Sequence, residues 1–256
     1  MTVGSIANSN PEHCDLVLQA GIVKPLLRIL KHSTTASSLR VASWAYAKCC
    51  RGKPAEFATT KSGLKILTQL LLNIDNEVVC NSCWALFHLL ESCKEGVNAV
   101  INMGFVKRLL KLLPKSSREV QEPALKSLYL ITTAGDSCIK AITLRNGITC
   151  IKKRLSSSSE SIQKLACCTI SNIIAGNNDR LQSAIDSNVV PCLIQILAGE
   201  QNKKHALWAI YQATEGGTSA QVKYIVTQDC VHHLCDMLVT DCNTAIIALW
   251  TLNNVR

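Results

Sequence analysis

Apolar residues along this chain recur at the spacing of one helix face, in short segments that repeat: QAGIVKPLLRIL, KSGLKILTQLLL, NMGFVKRLLKLL, RNGITCIKKRL, DSNVVPCLIQIL and TQDCVHHLCDML. Each carries a marker near its start, at Gly21, Gly63, Gly104, Gly147, Asn188 and Asp229, and successive markers stand 42, 41, 43, 41 and 41 residues apart. An internal period of this length fixes the architecture and is read first. Glycine reaches positive φ without steric cost, and Asn and Asp tolerate it best among the other residues, so each marker predicts a tight turn between two helices. After the marker the pattern predicts a helix with apolar residues at helical spacing, as in Leu109, Leu110, Leu112 and Leu113. A polar turn and a longer helix follow, for example Val78 to Leu90, and a short amphipathic piece such as Val97 to Ile101 precedes each marker.

Three helices in about 42 residues is the armadillo pattern. No single unit buries its own apolar faces, so stacked units share one core, and the third helices line a concave groove that is the default binding surface. The expected fold is an all-α, armadillo-repeat, right-handed α-solenoid (a superhelix). It has about six repeats, with partial repeats at both ends, and forms one domain over residues 1–256.

A second register runs through the third helices. One position is occupied by Met1, Trp44, Trp84, Lys126, Cys168, Trp208 and Trp250, at intervals of 43, 40, 42, 42, 40 and 42, and it holds all four tryptophans. Four residues later, one turn along the same face, stand Ser5, Lys48, His88, Leu130, Asn172, Gln212 and Asn254. Where an amide follows a tryptophan, as Gln212 follows Trp208 and Asn254 follows Trp250, burying it would require several partners, whereas an open groove lets both side chains serve an extended peptide.

Composition agrees with a helical repeat and removes other classes. Apolar residues make up 48% and aromatics only 4%, so the core is built from Leu, Ile, Val, Ala and Cys. The 27 basic residues exceed the 18 acidic ones by nine, yet the longest basic run is only Lys152, Lys153 and Arg154. No dense phosphate-tracking stripe appears, and direct nucleic-acid binding is not expected. No apolar stretch reaches the length of a membrane span, and no membrane partner is expected. The 14 cysteines read as reduced packing residues rather than a disulfide framework, because the chain is far longer than stapled mini-domains.

Cys80-x-x-Cys83 lies within an apolar helical run with no second pair at zinc-ribbon distance, and the adjacent His232 and His233, near Cys235, are expected on different sides of a helix. Nucleotide-loop and metalloprotease patterns are absent from the sequence, and no cysteine has the setting of an activated nucleophile. The expectation is a binding protein, not an enzyme, with no cofactor and no metal.

The stretches SWAYAKCCRGKP, NSCWALFHLL, EPALKSLYLITTAGD, ACCTISNIIAGNNDRLQ and ALWAIYQATEGGTSAQVKYIV run in order along nearly the whole chain, and with them the sequence resembles the importin-α family of nuclear import adaptors. The resemblance implies that third-helix tryptophans sandwich the stems of lysines in nuclear localisation signals. Asparagines one turn on hold the peptide backbone, and acids meet the lysine ends. It implies partners carrying basic signal peptides, import of those proteins into the nucleus, and residence in cytoplasm and nucleus.

The candidate groove residues are Trp44, Trp84, His88, Lys126, Thr133, Asp136, Asn172, His205, Trp208, Gln212, Trp250 and Asn254; the last two form a full Trp-x-x-x-Asn pair in a repeat where the family usually has none. Thr133, Asp136, Asn172 and Trp208 match the family's smaller signal site; Lys126 stands for an Arg, Leu130 for an Asn, Cys168 for a Trp, His205 for an acid and Gln212 for an Asn. At the other site Met1, Ser5 and Ser9 stand where Trp, Asn and an acid are expected, and Lys48 replaces the amide that follows Trp44. The basic segment that recruits importin-β in the family has no counterpart in the sequence. The reading is therefore a truncated or divergent adaptor; the alternative is an armadillo scaffold whose altered groove takes acidic or non-classical partners without import activity.

Overall fold

The computed structural model describes residues 2–52, 57–92, 96–114 and 116–255, with side chains from residue 3 onward apart from residues 57–61. Met1, the expected first member of the tryptophan register, lies outside the described residues. All regular structure among them is helical, and the chain divides into two compact units, 1–138 and 139–256.

The first unit contains α1 (Thr2–Ser9), α2 (Pro11–Gln19), α3 (Val23–His32), α4 (Ala36–Cys50), α5 (Phe57–Leu70), α6 (Asn76–Ser92), α7 (Val97–Asn102), α8 (Phe105–Leu112) and α9 (Arg118–Thr132). Here α1 packs on α4, α4 on α6 and α6 on α9, so every third-helix element lies against the next. Helix α10 (Asp136–Thr143) carries the chain into the second unit. That unit contains α11 (Gly147–Leu155), α12 (Glu160–Ile174), α13 (Asn178–Asp186), α14 (Val189–Ala198), α15 (Lys203–Glu215), α16 (Ser219–Thr227), α17 (Cys230–Asp236) with a following 3-10 turn, and α18 (Cys242–Asn254). Within it α12 packs on α15 and α15 on α18.

Four of the six expected marker turns form at the marker itself: Gly21, Gly104, Asn188 and Asp229 have φ of 75°, 78°, 55° and 63°. Two expectations are corrected. At the fourth marker Asn146 takes the left-handed conformation, with φ of 55°, and Gly147 opens α11. A Cβ at position 147 would stand 2.6 Å from the Ile142 carbonyl oxygen, so glycine is required there by close approach of backbone and not by φ. At the second marker there is no turn: Gly63 lies inside the continuous helix α5, and a Cβ there would overlap the Tyr46 hydroxyl of α4.

The helix starts carry their own signals. Asn10 accepts from the His13 N–H ahead of Pro11 in the first turn of α2, Asn177 accepts from Arg180 N–H, Thr218 and Gln221 form a reciprocal capping box, and Asp241 accepts from Thr244 N–H. Asp75 caps α6 through the Glu77 and Val78 N–H groups and also pairs with Arg40 at 2.7 Å, tying α4 to that helix start.

Pro123 sits inside α9 and lacks the N–H that would pair with the Glu119 carbonyl. The Cys80 thiol of α6 donates to that carbonyl at 3.2 Å. The core follows the aliphatic composition. Leu86 on α6, Leu125, Leu128 and Ile131 on α9, Ile170 and Ile173 on α12, and Leu207 on α15 are closed to solvent. Truncating any one leucine among them to alanine costs about 2–5 kcal/mol.

Candidate functional site

Third-helix stacking carries the tryptophan register onto α4 (Trp44), α6 (Trp84), α9 (Lys126), α12 (Cys168), α15 (Trp208) and α18 (Trp250). The flanking positions along each of the first, second and fifth of these helices are buried: Ser43 and Ala45 beside Trp44, Cys83 and Ala85 beside Trp84, Leu207 and Ala209 beside Trp208. Trp44 and Trp84 are half-buried, whereas Trp208 and Trp250 are 40% and 53% exposed.

In the first unit the register is filled by the chain itself. The Trp44 ring packs over Gly4 of α1, where any Cβ would overlap it. Lys48 Nζ lies 6.0 Å from the Trp44 ring centroid. Trp84 stacks on His88 with centroids 5.9 Å apart and meets Phe87 edge-on at 5.8 Å. Lys126 Nζ stands 4.6 Å from the Trp84 centroid and 5.6 Å from that of Phe87, held by Glu122 at 3.3 Å. His88 Nδ1 lies 3.4 Å from Glu91, yet burial depresses its affinity for a proton, and the charges of Arg51 and Lys48 oppose the help from Glu91.

In the second unit the register tryptophans Trp208 and Trp250 are exposed and Tyr211 is half-buried. Trp208, Tyr211 and Trp250 form a ladder with centroid spacings of 5.3 and 5.9 Å. The Tyr211 hydroxyl donates to the exposed Glu215 carboxylate at 2.6 Å, which raises the phenol's pKa. Asn254, one turn beyond Trp250, is half-buried and donates to Thr214 Oγ1 at 3.3 Å, and the half-buried Gln212 follows Trp208 at the same spacing.

His205 Nδ1 lies 3.6 Å from the Cys168 sulfur. Burial, then Lys164 and Lys204, lower the His205 pKa, and burial raises that of Cys168. Asn172 is half-buried on α12.

The expected site residues therefore fall into two groups. In the first unit Trp84, His88 and Lys126 meet while Trp44 packs over Gly4 on the neighbouring third helix, and His205, Trp208, Gln212, Trp250 and Asn254 line α15 and α18 in the second. Thr133 is exposed on the turn after α9, where its hydroxyl donates back to the Leu130 carbonyl at 2.8 Å, and Asp136 is exposed at the first residue of α10.

Phe87 and Tyr211 were not expected, although each stands three residues after a register tryptophan, on the side that meets the following third helix. Reading that position as a third register would have found both.

The chemistry-bearing candidates outside the groove behave as packing groups. The 13 described cysteines are all free, and burial pushes Cys49 and Cys167 up to about 12 and Cys83 further still. The His232 and His233 rings are 3.7 Å apart, so these neighbours do not point to different sides as expected; His232 turns toward Asp229 at 3.2 Å. Among the described residues no group of three or more His, Cys, Asp or Glu converges to hold a metal ion, and no single helix is long and apolar enough to cross a membrane.

Comparison with known proteins places these faces in context. The profile of the Armadillo/beta-catenin-like repeat matches residues 10–45. Importin subunit alpha-8 of Arabidopsis thaliana is 37% identical over 251 residues, covering 96% of this chain and 56% of that protein. Importin subunit alpha-1b of Oryza sativa subsp. japonica is 38% identical over 258 residues, covering 99% of this chain and 48% of that protein. The chain thus spans about half the length of these relatives.

Among solved structures, an engineered protein superposes with a TM-score of 0.88 at 28% identity, covering 99% of this chain and 62% of that one. A designed armadillo repeat protein in complex with the peptide (KR)4 gives a TM-score of 0.82 at 22% identity, covering 91% and 98%, a likeness of fold alone. The fold is an all-helical armadillo-repeat solenoid.

Proposed function

The chain is a member of the importin-α family, and from that premise we propose that it is a non-enzymatic adaptor that binds basic nuclear localisation peptides, in extended form, on the α15–α18 face for transfer between cytoplasm and nucleus. The observation that carries this reading is the pair of exposed tryptophans, Trp208 and Trp250, joined by the half-buried Tyr211 beside the Glu215 carboxylate. Flat aromatic faces accept the stem and charge of a peptide lysine or arginine, each worth about 0.5–2 kcal/mol. Glu215 supplies the negative charge for the head group, and the Gln212 and Asn254 amides, one turn beyond the two tryptophans, offer both a donor and an acceptor to a peptide backbone. Each such hydrogen bond adds about 1 kcal/mol, so affinity accumulates over several rungs rather than residing in one.

The test is a fluorescence titration of a lysine-rich signal peptide against the unaltered chain, Trp208→Ala and Trp250→Ala. Loss of about 1–2 kcal/mol per tryptophan weakens binding roughly 5- to 30-fold. Equal affinities for all three proteins would remove this face from the function.

A further inference from the structure

The same register in the first unit is built for the opposite charge. An ammonium group of the chain's own Lys126 already lies 4.6 Å from the Trp84 ring and 5.6 Å from Phe87, and His88 stacks on Trp84 from its own helix. Lys48 brings a second ammonium within 6.0 Å of Trp44, at a position where the α15 and α18 helices carry Gln212 and Asn254. A peptide lysine arriving here meets like charge at every rung.

The acids neutralise the face only in part. Glu122 pairs with Lys126 and Glu91 faces His88, whose burial disfavours a proton, so two carboxylates stand against the three cations Lys48, Lys126 and Arg51; Lys48 has no carboxylate partner among the described residues. Arg51, at the end of α4, adds a third cation, close enough that with Lys48 it disfavours a proton on His88. The remaining acids of these helices, Glu77 and Glu119, stand at the opposite, N-terminal end of α6 and α9, near Cys80. The cations backed by aromatic rings thus stand at the Trp84–Lys126 level and toward the α4 C-terminus, with Glu91 in the last turn of α6 beside His88.

We propose that the Trp44, Lys48, Trp84 and Lys126 face of the first unit binds an acidic, extended segment of a partner polypeptide, its carboxylates on the two ammonium groups and its side-chain stems against Trp84 and Phe87. This rests on the reading of the chain as a peptide-binding adaptor and refines it: the partner carries an acidic stretch in addition to a basic one. A lysine held over an aromatic ring is fixed in position before the ligand arrives, so the ion pair it forms loses less side-chain freedom than one made by a free surface lysine.

Two labelled peptides, one glutamate-rich and one lysine-rich, are titrated by fluorescence anisotropy against the full chain, against Lys48→Gln/Lys126→Gln and against Lys107→Gln/Lys111→Gln. The last variant removes the same charge from exposed positions of α8. The expected result is a loss of about five- to tenfold for the acidic peptide in the first variant and less than about twofold in the second, with the lysine-rich peptide bound as well as before or more tightly.

Retained binding of the lysine-rich peptide also shows that the first variant is folded; should neither peptide bind the unaltered chain, circular dichroism reports the fold instead. Equal losses in the two variants would reduce the effect to the net charge of +9 and overturn the proposal. So would failure of the acidic peptide to bind the unaltered chain. The Trp208→Ala titration with the lysine-rich peptide reports separately on the basic-peptide reading, so either can fail without the other.

Discussion

Replacing Gly63 by alanine separates two reasons for a glycine. In a left-handed turn, alanine is strained by its own backbone; inside α5 it is strained by what the new methyl group meets. The structure has the second situation. A Cβ at position 63 would overlap the Tyr46 hydroxyl oxygen, with Tyr46 Cζ at 3.1 Å and Leu27 Cδ2 at 3.8 Å behind it. Tyr46 is 2% exposed and its hydroxyl bonds to Cys50, so the ring has no solvent to swing into.

Two effects compete. Alanine in a helix interior is favoured over glycine by about 1 kcal/mol, and overpacking of a closed core costs about 1–3 kcal/mol. Gly63→Ala is expected to destabilise the protein by about 1 kcal/mol, because the clash outweighs the helix preference. Tyr46→Phe alone loses a hydrogen bond and costs about 1 kcal/mol. In the double variant the oxygen is gone and only a few tenths of an ångström of relief around Cζ remain to be found, so the alanine keeps its helical advantage. The double variant is then less destabilised than the sum of the singles by about 1–2 kcal/mol.

Urea unfolding of the four proteins, followed by far-ultraviolet circular dichroism, measures this coupling. A coupling near zero refutes the reasoning, because alanine strained by a positive φ would be indifferent to the Tyr46 oxygen.

Two further outcomes follow from the inter-helix contacts and the buried imidazoles. Asn202 has φ of 58° and its amide bridges α15 to α12, donating to the Glu160 carbonyl at 3.1 Å and to Gln163 Oε1 at 2.8 Å. Asn202→Gly keeps the backbone and loses the bridge, whereas Asn202→Ala loses both, so the alanine variant melts lower, by an amount equivalent to about 0.5–1 kcal/mol. His88 and His205 bind protons less readily in the folded chain than their ordinary value of 6.5. The unfolded chain therefore takes up more protons as pH falls below 6.5, and stability declines from there toward the lower folded values, levelling off beneath them. Thermal melts between about pH 7 and about pH 5 read this slope, and His88→Gln with His205→Gln flattens it; an unchanged slope in the double variant would assign the acid sensitivity to other groups.

The repeat was legible because its cause is periodic. Stacking identical helical units needs a tight turn at a fixed interval and an outward-facing position at the same interval, and both leave marks in the spacing of Gly, Asn, Asp and Trp. What the spacing conceals is the reason for each mark. Gly104 is required by φ, Gly147 by the Ile142 carbonyl and Gly63 by the Tyr46 hydroxyl, yet all three are the same letter at the same interval. Asn146 shows the difference: it takes the left-handed turn one residue early because Asn tolerates it, which leaves Gly147 free to answer a packing need.

The candidate faces divide in the same way. Repetition carries Trp84 and Trp208 to equivalent places on their helices, but what meets each ring differs: Lys126, 42 positions along, lies over Trp84, whereas Trp208 meets Tyr211 of its own helix, which in turn meets Trp250. A register position is thus fixed by its own repeat, and its chemistry in part by the next. A single substitution at position 126 therefore changes what the ring at position 84 presents: Lys126→Trp would lift the ammonium from Trp84 and leave two aromatic faces in sequence, the arrangement that Trp208 and Trp250 have around Tyr211.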